Sequence, residues 1–159
     1  MPFRDAASSR RRGVLGALGL IGTLAALLPG ASQAMCLWPQ EEGDWVNVDP
    51  GARSLARIQL EFVCQDTIVN GQPFPPGPPW YMQAWSKHRP GDWGRVGARK
   101  LGNGHIHAVF HQGFATKHVY AKLSQRKPGQ LRVHTYVDFA PADGRIDHVM
   151  QDWFVKKGG

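Results

Sequence analysis

Apolar and polar residues alternate with a period of two over several stretches of the chain, and no long stretch keeps the 3.6-residue spacing of an amphipathic helix. From Ala56 to Cys64 one face reads Ala56, Ile58, Leu60, Phe62 and Cys64, and the other Arg57, Gln59, Glu61 and Val63. Ile106, Ala108 and Phe110 stand opposite His105 and His107. Val119, Ala121 and Leu123 stand opposite His118, Tyr120 and Lys122. Between Leu131 and Phe139, Leu131, Val133, Thr135, Val137 and Phe139 alternate with Arg132, His134, Tyr136 and Asp138. Successive strand side chains point to opposite faces, so each stretch predicts a strand with one buried face. Weaker candidates lie at Trp45–Val48, Trp80–Lys87, Trp93–Arg99 and Asp147–Val155, which brings the number to eight.

Turn-forming residues separate these runs. Pro90-Gly91-Asp92, Gly102-Asn103-Gly104, Lys127-Pro128-Gly129 and Asp143-Gly144 each fit a tight reversal. Short strands joined by hairpin turns predict an all-β domain, an antiparallel up-and-down barrel of about eight strands, the size at which side chains fill a barrel or leave room for one small ligand. A β-sandwich uses the same signals and is the alternative. The segment from Gly71 to Pro79 carries Pro73, Pro75, Pro76, Pro78 and Pro79. Proline has no amide donor, so this segment reads as a stiff surface connection, with a polyproline ligand as the other reading.

The N-terminus changes the picture of charge and address. Arg4, Arg10, Arg11 and Arg12 precede an uncharged apolar run from Gly13 to Leu28, then Pro29-Gly30 and Ala31-Ser32-Gln33-Ala34. A basic segment, a short apolar stretch and small residues before a cut form a secretory signal, with cleavage expected after Ala34. The run is too short and too rich in Gly and Ala for a bilayer-spanning helix of about 20 residues, so no transmembrane anchor is expected after cleavage. Arg10-Arg11-Arg12 ahead of a weakly apolar segment also fits a twin-arginine signal, with general secretion as the alternative. Residues 1–34 are therefore a signal peptide and residues 35–159 a single β domain, periplasmic or extracellular. That domain holds 15 basic and 11 acidic residues, a net charge of +4 where the whole chain has +7. The basic residues are scattered, which argues against a nucleic-acid partner. Cys36 and Cys64 are the two cysteines of the chain. In an oxidising compartment they predict one disulfide, free thiols or a metal pair being the alternatives.

Two segments carry resemblances. Gly43-Asp44-Trp45 on the first strand resembles the Gly-x-Trp start of lipocalin and avidin-like barrels, in which the Trp plugs one barrel end. The run from Trp85 to Gly94, Trp-Ser-Lys-His-Arg-Pro-Gly-Asp-Trp-Gly, resembles the Trp-Gly-Lys-Cys-His-Pro-Thr-Asp-Cys-Asp-Trp-Gly element of a family of small secreted bacterial β-barrel proteins. The family's Gly-x-Trp-x-Asn-x-Asp-Pro opening corresponds to Gly43 to Pro50, its Arg and aliphatic run to Arg53 to Ile58, and its last strand and turn to Val133 to Arg145. Both cysteines of the central element are missing here, so no role of that pair carries over. The family has no assigned activity, and the resemblance implies fold rather than function.

Candidate chemistry is sparse. His105 and His107 share a strand face, as zinc ligands can, but His107 and His111 would lie about 13 Å apart on a straight strand. A metal site would need His105, His107 and a neighbouring-strand ligand such as His118 or His134; otherwise these histidines form a solvent-facing polar surface. No Gly-x-Ser-x-Gly, reactive cysteine or phosphate-binding glycine loop is present in the sequence, so catalysis is not the leading expectation. Asp138, Asp143, Asp147 and Asp152 lack calcium-loop spacing. All six tryptophans follow Ala34, and Trp80, Tyr81, Trp85 and Trp93 near the proline segment are the candidate ligand-contacting residues. The expectation is a non-enzymatic exported barrel without cofactor, binding a small or amphipathic ligand or a partner surface at one barrel end. A histidine-ligated metal protein or metal-dependent enzyme, and a structural envelope protein, are the alternatives.

Overall fold

Eight antiparallel strands close into a barrel in the order β1-β2-β5-β6-β7-β8-β9-β10, with β10 pairing back onto β1. The computed structural model describes residues 36–158 apart from 54, 89 and 90. The expected signal segment and its cleavage point lie outside these residues, as do two positions of the Trp85–Gly94 element. The barrel strands are β1 (Gly43–Asn47), β2 (Leu55–Phe62), β5 (Trp80–Ser86), β6 (Asp92–Lys100), β7 (Ile106–His111), β8 (Ala115–Leu123), β9 (Gln130–Phe139) and β10 (His148–Lys156). All eight coincide with the candidates of the sequence, and closure decides for the barrel over the sandwich.

The inward faces follow the alternation. Ile106, Ala108 and Phe110 of β7, Val119 and Ala121 of β8, and Leu131, Val133 and Val137 of β9 are buried together with Trp45, Ile58, Leu60, Met82 and Phe154. These side chains fill the middle of the barrel. In β2 the pattern breaks at its start, where Leu55 rather than Ala56 is fully buried. The β2–β5 register shifts between Leu55 and Arg57, and a bulge moves one residue to the other face.

One end of the barrel is capped. Trp45 is buried there, its indole Nε1 donating to the Glu41 carbonyl at 2.9 Å. Phe62 packs on Trp80 with centroids 5.1 Å apart, and Trp38 meets Phe62 edge-on. The segment before β1 is tied to the residues after β2 by the Cys36–Cys64 disulfide.

The proline segment corrects an expectation. Part of it is a strand, β4 (Gln72–Phe74), which pairs with β3 (Thr67–Val69) in a small hairpin beside the barrel. Asn70 and Gly71 form its turn with φ of 52° and 77°, the two positive values that a two-residue type I′ turn requires. Pro73 is tolerated because this two-stranded ribbon consists of edges. The rest behaves as a strap against the wall. Gln65 Nε2 donates to the carbonyls of Pro75 and Gly77, and Gly97 of β6 leaves space for Pro78, whose Cγ would lie 2.9 Å from a Cβ at that position. No helix among the described residues is long and apolar enough to cross a membrane.

Candidate functional site

The outward faces of β8 and β9, with Asn103 and His105 just before β7, form a groove of about 570 Å³ walled by histidine and tyrosine. Strand register alone brings these residues together. His107 pairs with Tyr120 and Tyr120 with His134; one step along, Val109 pairs with His118 and His118 with Tyr136. His105, just before β7, lines the same groove, with Arg132 and Asp138 on β9. The Tyr120 ring lies flat on His107, centroids 4.3 Å apart, and meets Tyr136 edge-on at 5.6 Å. His118 Nε2 is 3.5 Å from Asp138 Oδ2.

Two groups in this groove lack partners. His105 Nδ1 and His134 Nε2 are buried and make no hydrogen bond. Such atoms are costly to desolvate and leave unpaired. The surroundings disfavour the charged form of three imidazoles here. Burial, then Lys122, His134 and Arg132, lower the pKa of His105; burial and Arg132 lower that of His134; burial, His118 and Arg99 lower that of His107.

The sequence candidates do not converge on one place. Trp80 is a core residue near the capped end. Tyr81 and Trp85 stand on the outer wall under guanidinium groups, Arg95 lying 3.5 Å from the Tyr81 centroid and Arg57 4.2 Å from that of Trp85. Trp93 packs edge-on against Phe110 at the opposite end from Trp45. Of the four metal candidates, His107 and His118 meet, Nε2 to Nδ1, at 3.4 Å. Among the described residues the one trio of His, Cys, Asp or Glu with ligand atoms within 4.8 Å is Cys36, Cys64 and Asp66, whose two sulfurs are joined to each other.

The uncapped end carries a residue that the sequence reading passed over. Lys117 shares the inward parity of Ala115, Val119 and Ala121, opposite Val137 and Phe110. Its Nζ sits 3.7 Å from the Trp93 ring centroid. Burial, and behind it the Arg145 guanidinium, bring its pKa down to about 8. Arg145 itself lies over Phe139 and Phe114 and is paired with Asp143. The inner wall is also polar near here: Asn47 Nδ2 donates to the Leu55 carbonyl at 2.7 Å and to Asp152 Oδ1 at 3.1 Å. Parity counting from Val119 was the signal for Lys117.

Fold and surface together define a closed eight-stranded antiparallel barrel with a packed interior and a histidine–tyrosine groove on its wall. Comparison with known protein families, with curated proteins and with solved structures found no match.

Proposed function

We propose that this chain is an exported, non-enzymatic binding module whose ligand occupies the wall groove of β8 and β9 and is a small aromatic or amphipathic acid. The carrying observation is a groove that presents the Arg132 guanidinium among the rings of His105, His118, Tyr120, His134 and Tyr136. Tyr120, Tyr136 and the imidazoles offer aromatic faces for stacking, and a guanidinium is the side chain best matched to a carboxylate. The wall is a better place than the lumen because Trp45, Phe110, Phe154 and their neighbours already fill the barrel. Export is supported by the basic-then-apolar N-terminus, by the Cys36–Cys64 bond, which persists in oxidising compartments, and by the resemblance to small secreted barrel proteins.

The test is titration with 2-naphthoate, followed through backbone amide shifts. Shifts should cluster at His105, Tyr120, Arg132, His134 and Tyr136. Neutral 2-naphthol should bind more weakly, and Arg132→Ala should reduce the preference for the acid. Shifts confined to the barrel ends, or absent at millimolar naphthoate, would discard the wall groove as the binding site.

A further inference from the structure

His107 and His118 face each other across β7 and β8, close enough for one ring N–H to donate to the other ring's nitrogen when no ion is bound. Their centroids are 5.6 Å apart, their planes differ by 5°, and Nε2 of one lies 3.4 Å from Nδ1 of the other. The excess of the centroid separation over the nitrogen separation is close to two imidazole radii. The two nitrogens therefore lie on the line joining the rings, which are edge to edge in one plane and not stacked face to face. From this juxtaposition we propose that His107 and His118 form an open zinc(II) site on the barrel wall, two imidazole nitrogens completed by water.

The distance selects the geometry. Two nitrogens bound at 2.0–2.1 Å in a tetrahedron stand about 3.3 Å apart. Adjacent positions of a square plane would need about 2.8 Å, shorter than the gap observed here. An ion at the apex lies off the line between the nitrogens, so each ring must swing for its lone pair to point at it. A swing within the common plane keeps His107 on the face of Tyr120, 4.3 Å away and tilted by 16°. The ring nitrogen of His118 that would not bind the ion, Nε2, faces Asp138 Oδ2 at 3.5 Å. Carboxylates commonly sit behind metal-bound histidine in this way, fixing the tautomer and ring orientation, so Asp138 is a positioning residue. No third protein donor completes the set among the described residues, which leaves positions for water or for an anionic donor from a ligand. The site shares His118 and Asp138 with the groove but does not require an aromatic acid to be bound there.

Protein freed of metal by chelator and carrying no histidine tag should bind zinc chloride with one-to-one stoichiometry by calorimetry. Cobalt(II) in its place should give the strong visible bands of a tetrahedral centre. His107→Ala and His118→Ala should each weaken zinc binding at least tenfold, while His111→Ala, farther along β7, should leave it unchanged. Asp138→Asn should weaken binding up to tenfold and leave the cobalt bands tetrahedral, with Asp138→Glu restoring affinity. Zinc binding equal in wild type and in the His107→Ala/His118→Ala double variant, or cobalt bands of a six-coordinate ion, would overturn the proposal. Melting temperatures recorded without metal show that each variant is folded, and naphthoate binding to the His107→Ala variant, whose side chain is outside the groove lining, reports the groove separately.

Discussion

Lys117 shows how a single inward-facing residue reads out the environment of the barrel end. Its ammonium loses water on one side and gains the face of Trp93 at 3.7 Å on the other. Burial and Arg145 outweigh that gain and bring the pKa from 10.5 to about 8. The sign follows from proton counting. Between pH 8 and 10.5 the unfolded chain holds a proton that the folded chain has released, so the lysine's contribution to stability rises with pH through that window. Below pH 8 the folded protein carries the charge at a penalty. The side chain is only half removed from solvent, so screening reduces the penalty to about 1 kcal/mol. Lys117→Met should therefore stabilise the protein at pH 7 by about that amount, and its advantage over wild type should shrink by pH 10. Urea unfolding of both proteins at the two pH values measures it. A variant less stable at pH 7 would mean that the Trp93 contact dominates over desolvation. Parity made the inward position of Lys117 legible in the sequence, but its neighbours Trp93 and Arg145 come from other strands and loops, which a single-sequence pattern does not bring together.

The strands were the most legible elements because each obeys one rule, an apolar residue at every second position facing one core. Candidate and observed strand ends agree within two residues for all eight barrel strands. β9 tests the rule most directly, since Val133 is fully buried and Arg132 beside it is exposed. Val133→Ala should cost about 2–3 kcal/mol through lost methyl burial and the cavity left behind. Arg132→Ala should change stability by less than about 0.5 kcal/mol. Equal losses in chemical unfolding would mean that the face assignment of β9 is reversed. What failed was local and had physical causes. The bulge near Leu55 depends on how β2 pairs with β5, which composition does not encode. The β3–β4 hairpin was hidden by its prolines, although Asn70-Gly71 was a readable turn signal. The candidate site was half legible: alternation placed His105, His107, His118 and His134 outward, but which of them touch is set by strand register. The aromatic cluster dispersed because Trp80 and Tyr81, neighbours on β5, point to opposite sides of the wall, while Trp93 stands on β6 at the other end from Trp80.

At the scale of the whole molecule, closure and cross-linking are separable sources of stability. The barrel closes by backbone pairing of β1 with both β2 and β10, from Gly43↔Leu60 on one side to Asn47↔Phe154 on the other. The disulfide adds a constraint outside that ladder, joining the segment before β1 to the residues after β2 across a separation of 28. In the chain-entropy description, a loop of this size removes about 3–4 kcal/mol of freedom from the unfolded chain at 25 °C. Since the ladder itself does not include Cys36 or Cys64, the reduced protein should keep its barrel. A Cys36→Ser/Cys64→Ser variant should thus lose about 3 kcal/mol in urea unfolding and still unfold in one cooperative step. Its amide spectrum should differ from that of the wild type near the capped end, around Trp38, Trp45 and Phe62, and remain unchanged for β7, β8 and β9. Zinc and naphthoate binding on that wall should then survive reduction, because every residue lining the groove lies outside the cross-linked segment from Cys36 to Cys64. Collapse of the β7–β9 spectrum on reduction would show instead that the tethered cap holds the barrel closed, and that the integrity of the wall site depends on the redox state of its compartment.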